Sequence, residues 1–374
     1  MIACLVLLSV GWGLVERLAR NDCQPARGYN YAAAEMKVSA VDFVRVEGSR
    51  LVVGADSHSV TLKGLNYYPG DHAWATWREW DEQAIRGDFQ RMADLGSNTA
   101  RVFVTLGDWQ QGDYSAAKMD TVLRIADTQG MRLLVTLFDG YRKYPAPGWD
   151  AWPGADDLAA NDERAYLKAV VAPFAGDPRI LGWDLSNEPD VVSEREWLWL
   201  DHASNRLDWL TRIAAQVRAL DGNHPLTVGL ALAAAVPVAE GRLTRLVDFI
   251  SFHYYSRNYP GRSLRDVLLE LRSWTDKPLL VEEAGQSSAG EGAGSEEAER
   301  AFYANTLPDA AEGVGLLGWT LHDFPNHAAN SEGHYGLYRS DDTAKPAITT
   351  FRDSLSVAPF APISLDAPPP PACE

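Results

Sequence analysis

Two segments of the chain end an apolar run in carboxylates. In I-L-G-W-D-L-S-N-E-P-D the run stops at Asn187, Glu188 and Pro189, and in K-P-L-L-V-E-E-A-G-Q it stops at Glu282, Glu283 and Gly285. Pro189 has no N–H to give a sheet, so it ends a strand and leaves Glu188 at the mouth. Side chains alternate along a strand, so one of Glu282 and Glu283 is expected to face a barrel axis and the other to turn away. Each segment alone would fit a solvated turn equally well. Together they offer two carboxyls that could flank one acetal bond, one to protonate the leaving oxygen and one to attack the carbon or activate water.

Other groups fall into register with this pair. Arg101 lies in G-S-N-T-A-R-V-F, Asp139 in L-F-D-G-Y, His253 and Tyr255 in I-S-F-H-Y-Y, and Trp319 in G-L-L-G-W-T-L-H-D-F. An arginine beside a carboxylate keeps it ionised, and burial keeps a second carboxyl protonated. On that basis an arginine such as Arg101 could hold one carboxyl of the pair charged while burial keeps the other protonated. A tryptophan offers a flat apolar face with one polar handle. The chain has 13 of them, and Trp319, Trp109, Trp149 and Trp152 are the candidates for a stacking platform outside the core.

These groups need elements to bring them together. Strand-like runs begin at Leu62, Thr99, Leu133, Ile180, Leu226, Phe249, Leu279 and Gly318, and amphipathic helical patterns lie between them, as over Glu82–Leu95, Ala116–Thr128, Trp199–Leu220, Ser263–Trp274 and Glu296–Leu307. About eight strand–helix units predict an α/β fold of the (β/α)₈ barrel type, with the carboxyls at the C-terminal ends of the strands. A doubly wound sheet would place a glycine-rich phosphate cradle after its first strand. Here Y-Y-P-G-D-H-A-W follows instead. Alternation over Phe43–Val53 and His58–Leu62, broken by G-A-D-S, predicts an N-terminal β-hairpin. The barrel is expected over 38–356, and the proline-rich tail 357–374, ending P-P-P-P-A-C-E, as an extended linker.

The net charge of −17 repels phosphate backbones, so no nucleic-acid partner is expected, and a neutral substrate fits better than an anionic polymer. Cys4, Cys23 and Cys373 form no C-x-x-C pair, which excludes a zinc ribbon or a redox motif. Cys23 and Cys373 could pair if the termini meet. Residues 1–25 are read as a signal-like or anchoring segment. The apolar stretch 1–15 is short for a membrane span, and Arg17 and Arg20 follow it rather than precede it. An extracellular or envelope-tethered protein is expected, with an atypical leader.

The motifs L-K-G-L-N-Y, L-G-S-N-T-A-R, W-D-L-S-N-E-P, S-F-H-Y-Y, L-V-E-E-A-G and G-W-T-L-H-D-F, in this order from about Val60 to Phe351, resemble glycoside hydrolase clan A. They are most similar to family 5, the cellulase and mannanase group. The resemblance implies a retaining β-glycoside hydrolase acting on β-glucan or β-mannan. Glu188 maps to the acid/base and Glu283, from E-x-G, to the nucleophile. Asn187 maps to the residue binding the sugar 2-hydroxyl, Arg101 to the contact of the nucleophile, and His253, Tyr255 and Trp319 to substrate-facing positions. Many relatives carry a histidine where this chain has Asp139. No cofactor or metal is implied, and a monomer is expected. An exo-acting β-glycosidase and a non-catalytic sugar-binding barrel are the alternatives. The latter would be expected to lack a carboxyl of the pair or Arg101. A metal-dependent barrel hydrolase would want H-x-H after the first strand, where Asn66 and Tyr67 stand.

Overall fold

The computed structural model describes residues 38–139, 157–193, 196–197, 203–239, 241–290 and 294–363. The leader-like segment, Cys4, Cys23, Cys373, Trp149 and Trp152 lie outside the described residues. Among the described residues, no helix is long and apolar enough to cross a membrane.

Eight parallel strands close into a barrel, each followed by helix: β4 (Leu62–Asn66), β5 (Thr99–Phe103), β6 (Arg132–Thr136), β7 (Ile180–Asn187), β10 (Leu226–Leu230), β11 (Ile250–Tyr254), β12 (Leu279–Ala284) and β13 (Gly315–Gly318). The small hairpin of β8 (Val191–Ser193) and β9 (Glu196–Trp197) follows β7. The main outer helices are α1 (Glu82–Asp94), α2 (Leu106–Gln111), α3 (Ala116–Thr128), α4 (Asp157–Val170), α5 (Ala203–Leu220), α6 (Ala235–Val238), α7 (Arg242–Leu246), α8 (Leu264–Arg272), α9 (Glu296–Asp309) and α10 (Ala347–Ser354).

The sequence specifies these helices locally. In α8, Ser263 and Asp266 form a reciprocal capping box, and Leu264, Val267, Leu268 and Leu271 make one buried stripe at helical spacing. Strand side chains divide by parity. Ile250, Phe252 and Tyr254 of β11 join the core beneath the helices, while Ser251 and His253 point into the barrel, where Ser251 hydrogen-bonds Thr227.

The expected N-terminal hairpin is a three-stranded antiparallel sheet, because the run broken at Gly48 folds into two strands. These are β1 (Arg45–Glu47) and β2 (Arg50–Val53), with β3 (His58–Val60) pairing onto β2. Val44 and Leu51 of this sheet meet Leu62, Leu181, Leu280 and Leu317. These lie toward the beginnings of the barrel strands, so the sheet closes the N-terminal end and leaves the other end open. The eighth strand also differs. It runs Gly315–Gly318 and ends before Trp319, because Leu316 and Leu317, not Trp319 and Leu321, pair with the register of β4.

The tail differs further. Residues 357–363 are packed against the closed end rather than free. Phe360 is buried beside Leu134 and Leu181, its N–H donates to Gly130, and Arg132 lies over its ring. Phe360→Ala is expected to lower stability by about 3 kcal/mol, at the lower end for a buried phenylalanine, as measured by urea denaturation. It should leave activity unchanged, because this end is opposite the strand mouths.

Candidate active site

Arg101 sits at the barrel axis and is fully buried. Its Nε donates to Thr136 Oγ1 at 2.9 Å. One terminal nitrogen donates to Asn66 Oδ1 at 3.0 Å and to Glu283 Oε1 at 2.6 Å. The other donates to Asp184 Oδ2 at 2.7 Å and to Asn187 Oδ1 at 2.9 Å. The ring of Phe103 lies 4.5 Å beneath the guanidinium. Burial opposes its charge, but Glu282, Asp184 and Glu283 outweigh that and hold its pKa above the ordinary value. A guanidinium in this geometry ties β4, β6, β7 and β12 to β5 with a fixed fork that lysine could not copy.

Glu283 has two further polar neighbours. The Tyr255 hydroxyl donates to Oε2 at 2.8 Å, and His253 Nδ1 lies 3.3 Å from the same oxygen. That nitrogen is also 2.7 Å from Glu188 Oε1. One oxygen each of Glu188 and Glu283 and a nitrogen of His253 all lie within 4.8 Å of one another. A divalent cation could use such a spacing, but these atoms already serve one another and Arg101, whose fixed positive charge stands 2.6 Å from Glu283.

Backbone irregularities place the two carboxyls. Glu188 follows β7 with φ of 47°, a left-handed conformation uncommon for a glutamate, and its N–H is held by Gly229 O at 2.7 Å. Strained backbone of this kind collects at functional sites. In β12, His253 of β11 pairs with Glu283 whereas Phe252 pairs with Val281, so Glu282 is an extra residue. The same irregularity appears against β13. This bulge corrects the expectation that Glu282 turns away. Both glutamates point inward, Glu283 to the mouth and Glu282 below it. Glu282 lies 3.6 Å from Arg101 Nε and 3.9 Å from His253 Nε2, and among the described residues neither of its oxygens has a hydrogen-bond partner. Gly229 makes room for it, since a Cβ there would come within 2.4 Å of Glu282 Oε2.

The cavity above this layer is lined by Glu188, Glu283, Asn187 and Asp139 together with Trp319, Phe103 and Tyr255. Asp139 takes the place of the expected histidine, accepting from Asn187 Nδ2 at 3.4 Å. Trp319 meets Tyr68 and Phe103 edge-on, each at 6.2 Å.

No family model matches the chain. It is 27% identical over 232 residues to mannan endo-1,4-beta-mannosidase A of Podospora anserina, covering 54% of this chain and 56% of that protein. It is 22% identical over 392 residues to mannan endo-1,4-beta-mannosidase 2 of Oryza sativa subsp. japonica, covering 85% and 83%. Among solved structures, the exo-beta-1,4-mannosidase Op5Man5 from Opitutaceae bacterium strain TAV5 superposes with a TM-score of 0.66 at 21% identity, covering 83% of this chain and 61% of that one. The chain resembles the glycoside hydrolases of clan A, family 5 foremost.

Set beside that clan resemblance, Arg101, Asp139, Asn187, Glu188, His253, Tyr255, Glu283 and Trp319 converge on one cavity wall and floor. Trp109 does not join them. It lies on α2 and packs against Tyr166 at 6.0 Å, because the inward face of that helix meets α4. The loop that carries Trp149 and Trp152 falls outside the described residues. Trp74, Arg257, Glu332 and Tyr335 also line the cavity without having been expected. They sit in loops with no local pattern. Asn66, Asp184 and Glu282, which surround Arg101, were missed as partners too. Their polar placement on apolar strands was the available signal.

The proton balance also departs from expectation. Burial is the largest influence on Glu283 and keeps its pKa above the ordinary value despite His253 and Arg101, with Glu188 adding repulsion. At Glu188 burial works upward as well, but the hydrogen bond and charge of His253 outweigh it and set it below the ordinary value. Burial disfavours a charged imidazole at His253, yet Glu283, Glu188 and Glu282 push its pKa up to about 10. The proton expected on Glu188 therefore rests on His253 Nδ1, one hydrogen bond away.

Activity that needs Glu283 ionised is lost as pH falls through its raised pKa. The acidic limb of kcat/KM is thus expected above the ordinary carboxylate range. Tyr255→Phe removes a donor that lowers the Glu283 pKa, so the limb should move further upward, with a loss of about 10-fold or more at neutral pH. A pH–rate profile of the two enzymes checks both points, read as properties of the coupled set.

Proposed function

We propose that the protein is an O-glycosyl hydrolase cleaving β-linked mannosides with retention, Glu188 acting as acid/base and Glu283 as nucleophile. The observation that carries this proposal is the approach of the two carboxyls, with an oxygen of each within 4.8 Å. Retaining enzymes hold the pair about 5–5.5 Å apart, and inverting enzymes about 6.5–9.5 Å, to admit a water. The mannose assignment draws on the names of the relatives.

In the first step Glu283 Oε attacks the anomeric carbon as the C–O bond to the leaving group breaks. Glu188 first takes a proton from His253 Nδ1 across their 2.7 Å contact and passes it to the leaving oxygen, so that Glu188 is left as a carboxylate; the proton it later takes from water returns to His253. Arg101 and Tyr255 hold the attacking carboxylate in position. In the second step Glu188 removes a proton from water, whose oxygen attacks the anomeric carbon and releases Glu283. Two inversions leave the β configuration unchanged. Trp319 offers an apolar face for the sugar ring.

The first product formed from an aryl β-mannoside, followed by proton NMR, should be the β anomer. An α anomer would overturn retention. Glu188→Ala should lower turnover of poor leaving groups by about 10²- to 10⁴-fold, and azide should restore activity on an activated aryl mannoside by yielding the β-azide. Rescue in the Glu283→Ala variant to the α-azide would secure the nucleophile. The β-azide from that variant would exchange the two roles. A panel of mannans and glucans tests the sugar.

A further inference from the structure

Glu332 stands on the short turn Ser331–His334, in the loop that follows β13. Its backbone N–H is held by Asn330 at 3.0 Å. Its Oε1 accepts the indole N–H of Trp319, also at 3.0 Å. The side chain lines the same cavity as Glu188, Glu283 and Trp319. Among the described residues, its second oxygen has no hydrogen-bond partner, and no lysine or arginine pairs with it within 4.0 Å. Arg257 lines the cavity as well and eases the charge of Glu332 without bonding to it.

Holding Trp319 does not by itself call for a carboxylate. An indole N–H at the wall of an open cavity can be satisfied by water or by any neutral acceptor. A third carboxyl beside Glu188 and Glu283 carries an electrostatic cost that glutamine would avoid. Burial and the repulsion of those two groups push the Glu332 pKa up to about 7. What a carboxyl adds is a strong acceptor. Sugar hydroxyls are donors, and a hydrogen bond to an ionised acceptor is about twice as strong as one between neutral groups. The location suits that task. A ring lying on Trp319 turns its C–H face to the indole and its hydroxyls to the rim, and Glu332 is fixed to the indole edge.

We propose that Glu332 is a specificity-determining residue, its second carboxyl oxygen accepting a hydrogen bond from one hydroxyl of the sugar that stacks on Trp319. This rests on the glycosidase reading above and extends it to sugar recognition. A site built around a hydroxyl rejects the analogue that lacks it, and that gives a test in which Trp319 support and sugar contact separate.

The kcat/KM of the full-length wild type, Glu332→Ala and Glu332→Gln is measured on aryl β-mannosides, comparing the parent with its 2-, 3-, 4- and 6-deoxy forms. In the wild type, one deoxy form should fall by about 10- to 100-fold. Glu332→Ala should lower the parent by a similar factor and treat that one deoxy form as well as the wild type does. Discrimination at the other positions should persist. Glu332→Gln, whose amide oxygen can still accept, should recover part of the lost discrimination. If Glu332→Ala slows every sugar by one factor and keeps all the wild-type ratios, the residue only supports Trp319 and the proposal fails. If the wild type cleaves aryl β-glucosides or β-galactosides but not mannosides, the mannose assignment fails and the same comparison on that series decides Glu332. If no aryl β-glycoside is cleaved, both fail. Glu332 is on a surface loop, and thermal melts of the variants, expected within a few degrees of wild type, separate these effects from misfolding.

Discussion

The buried guanidinium of Arg101 is the interaction around which the rest is arranged. A cation at the centre of a barrel is strongly disfavoured unless it is paired and hydrogen-bonded. Here Asp184 and Glu283 bond to it directly and Glu282 adds its charge from 3.6 Å. Removing one member of such a set leaves an uncompensated buried charge, at a cost of about 3–5 kcal/mol. That requirement fixes the site in space. The groups bonded to Arg101 come from four strands, β4, β6, β7 and β12, so the closure of the barrel and the geometry of the carboxyl pair depend on one side chain.

The strands alone would not achieve that geometry. A regular β12 would send Glu282 and Glu283 to opposite faces. The bulge brings both inside at two depths, and Gly229 on the neighbouring strand supplies the space. The left-handed backbone of Glu188 does the equivalent at the end of β7, turning the carboxyl over the axis where Asn187 has just been fixed by Arg101. Local departures from ideal strand geometry therefore sit at the two carboxyls proposed to carry the chemistry, and the regular framework absorbs them.

This explains what was legible in the sequence. The barrel was readable because strand and helix periods alternate over the whole chain, and the paired carboxyls of one cavity because apolar runs ending in carboxyls stand out. Strand β13 was displaced by three residues because G-L-L-G and W-T-L are equally strand-like, and only pairing with β4 chooses between them. Both inward glutamates were unreadable, since alternation along a strand assumes no bulge. Phe360 could not be recognised as core within a proline-rich tail, because its partners, such as Leu134 and Leu181, are remote in the chain. Glu332 and Trp74 lie in loops, where contact is decided by the fold and not by local pattern.

The position of the proton follows from the same arrangement. Six groups form the charged centre of the site, Arg101 and His253 against Asp184, Glu188, Glu282 and Glu283, with Asp139, Arg257 and Glu332 on the cavity wall around them. With all six charged, negative groups exceed positive ones, and a low-dielectric interior favours holding protons. His253 takes one because it alone faces Glu188, Glu283 and Glu282 together. Its Nδ1 lies at hydrogen-bond distance from Glu188, so moving the proton across 2.7 Å changes a charged pair into a neutral one without altering the total. A sugar entering the cavity displaces water and weakens the screening of that pair, which favours the neutral form. Under the proposed mechanism, binding then loads Glu188 with the proton at the moment a leaving oxygen is present to receive it, while Arg101 and Tyr255 keep their hold on Glu283.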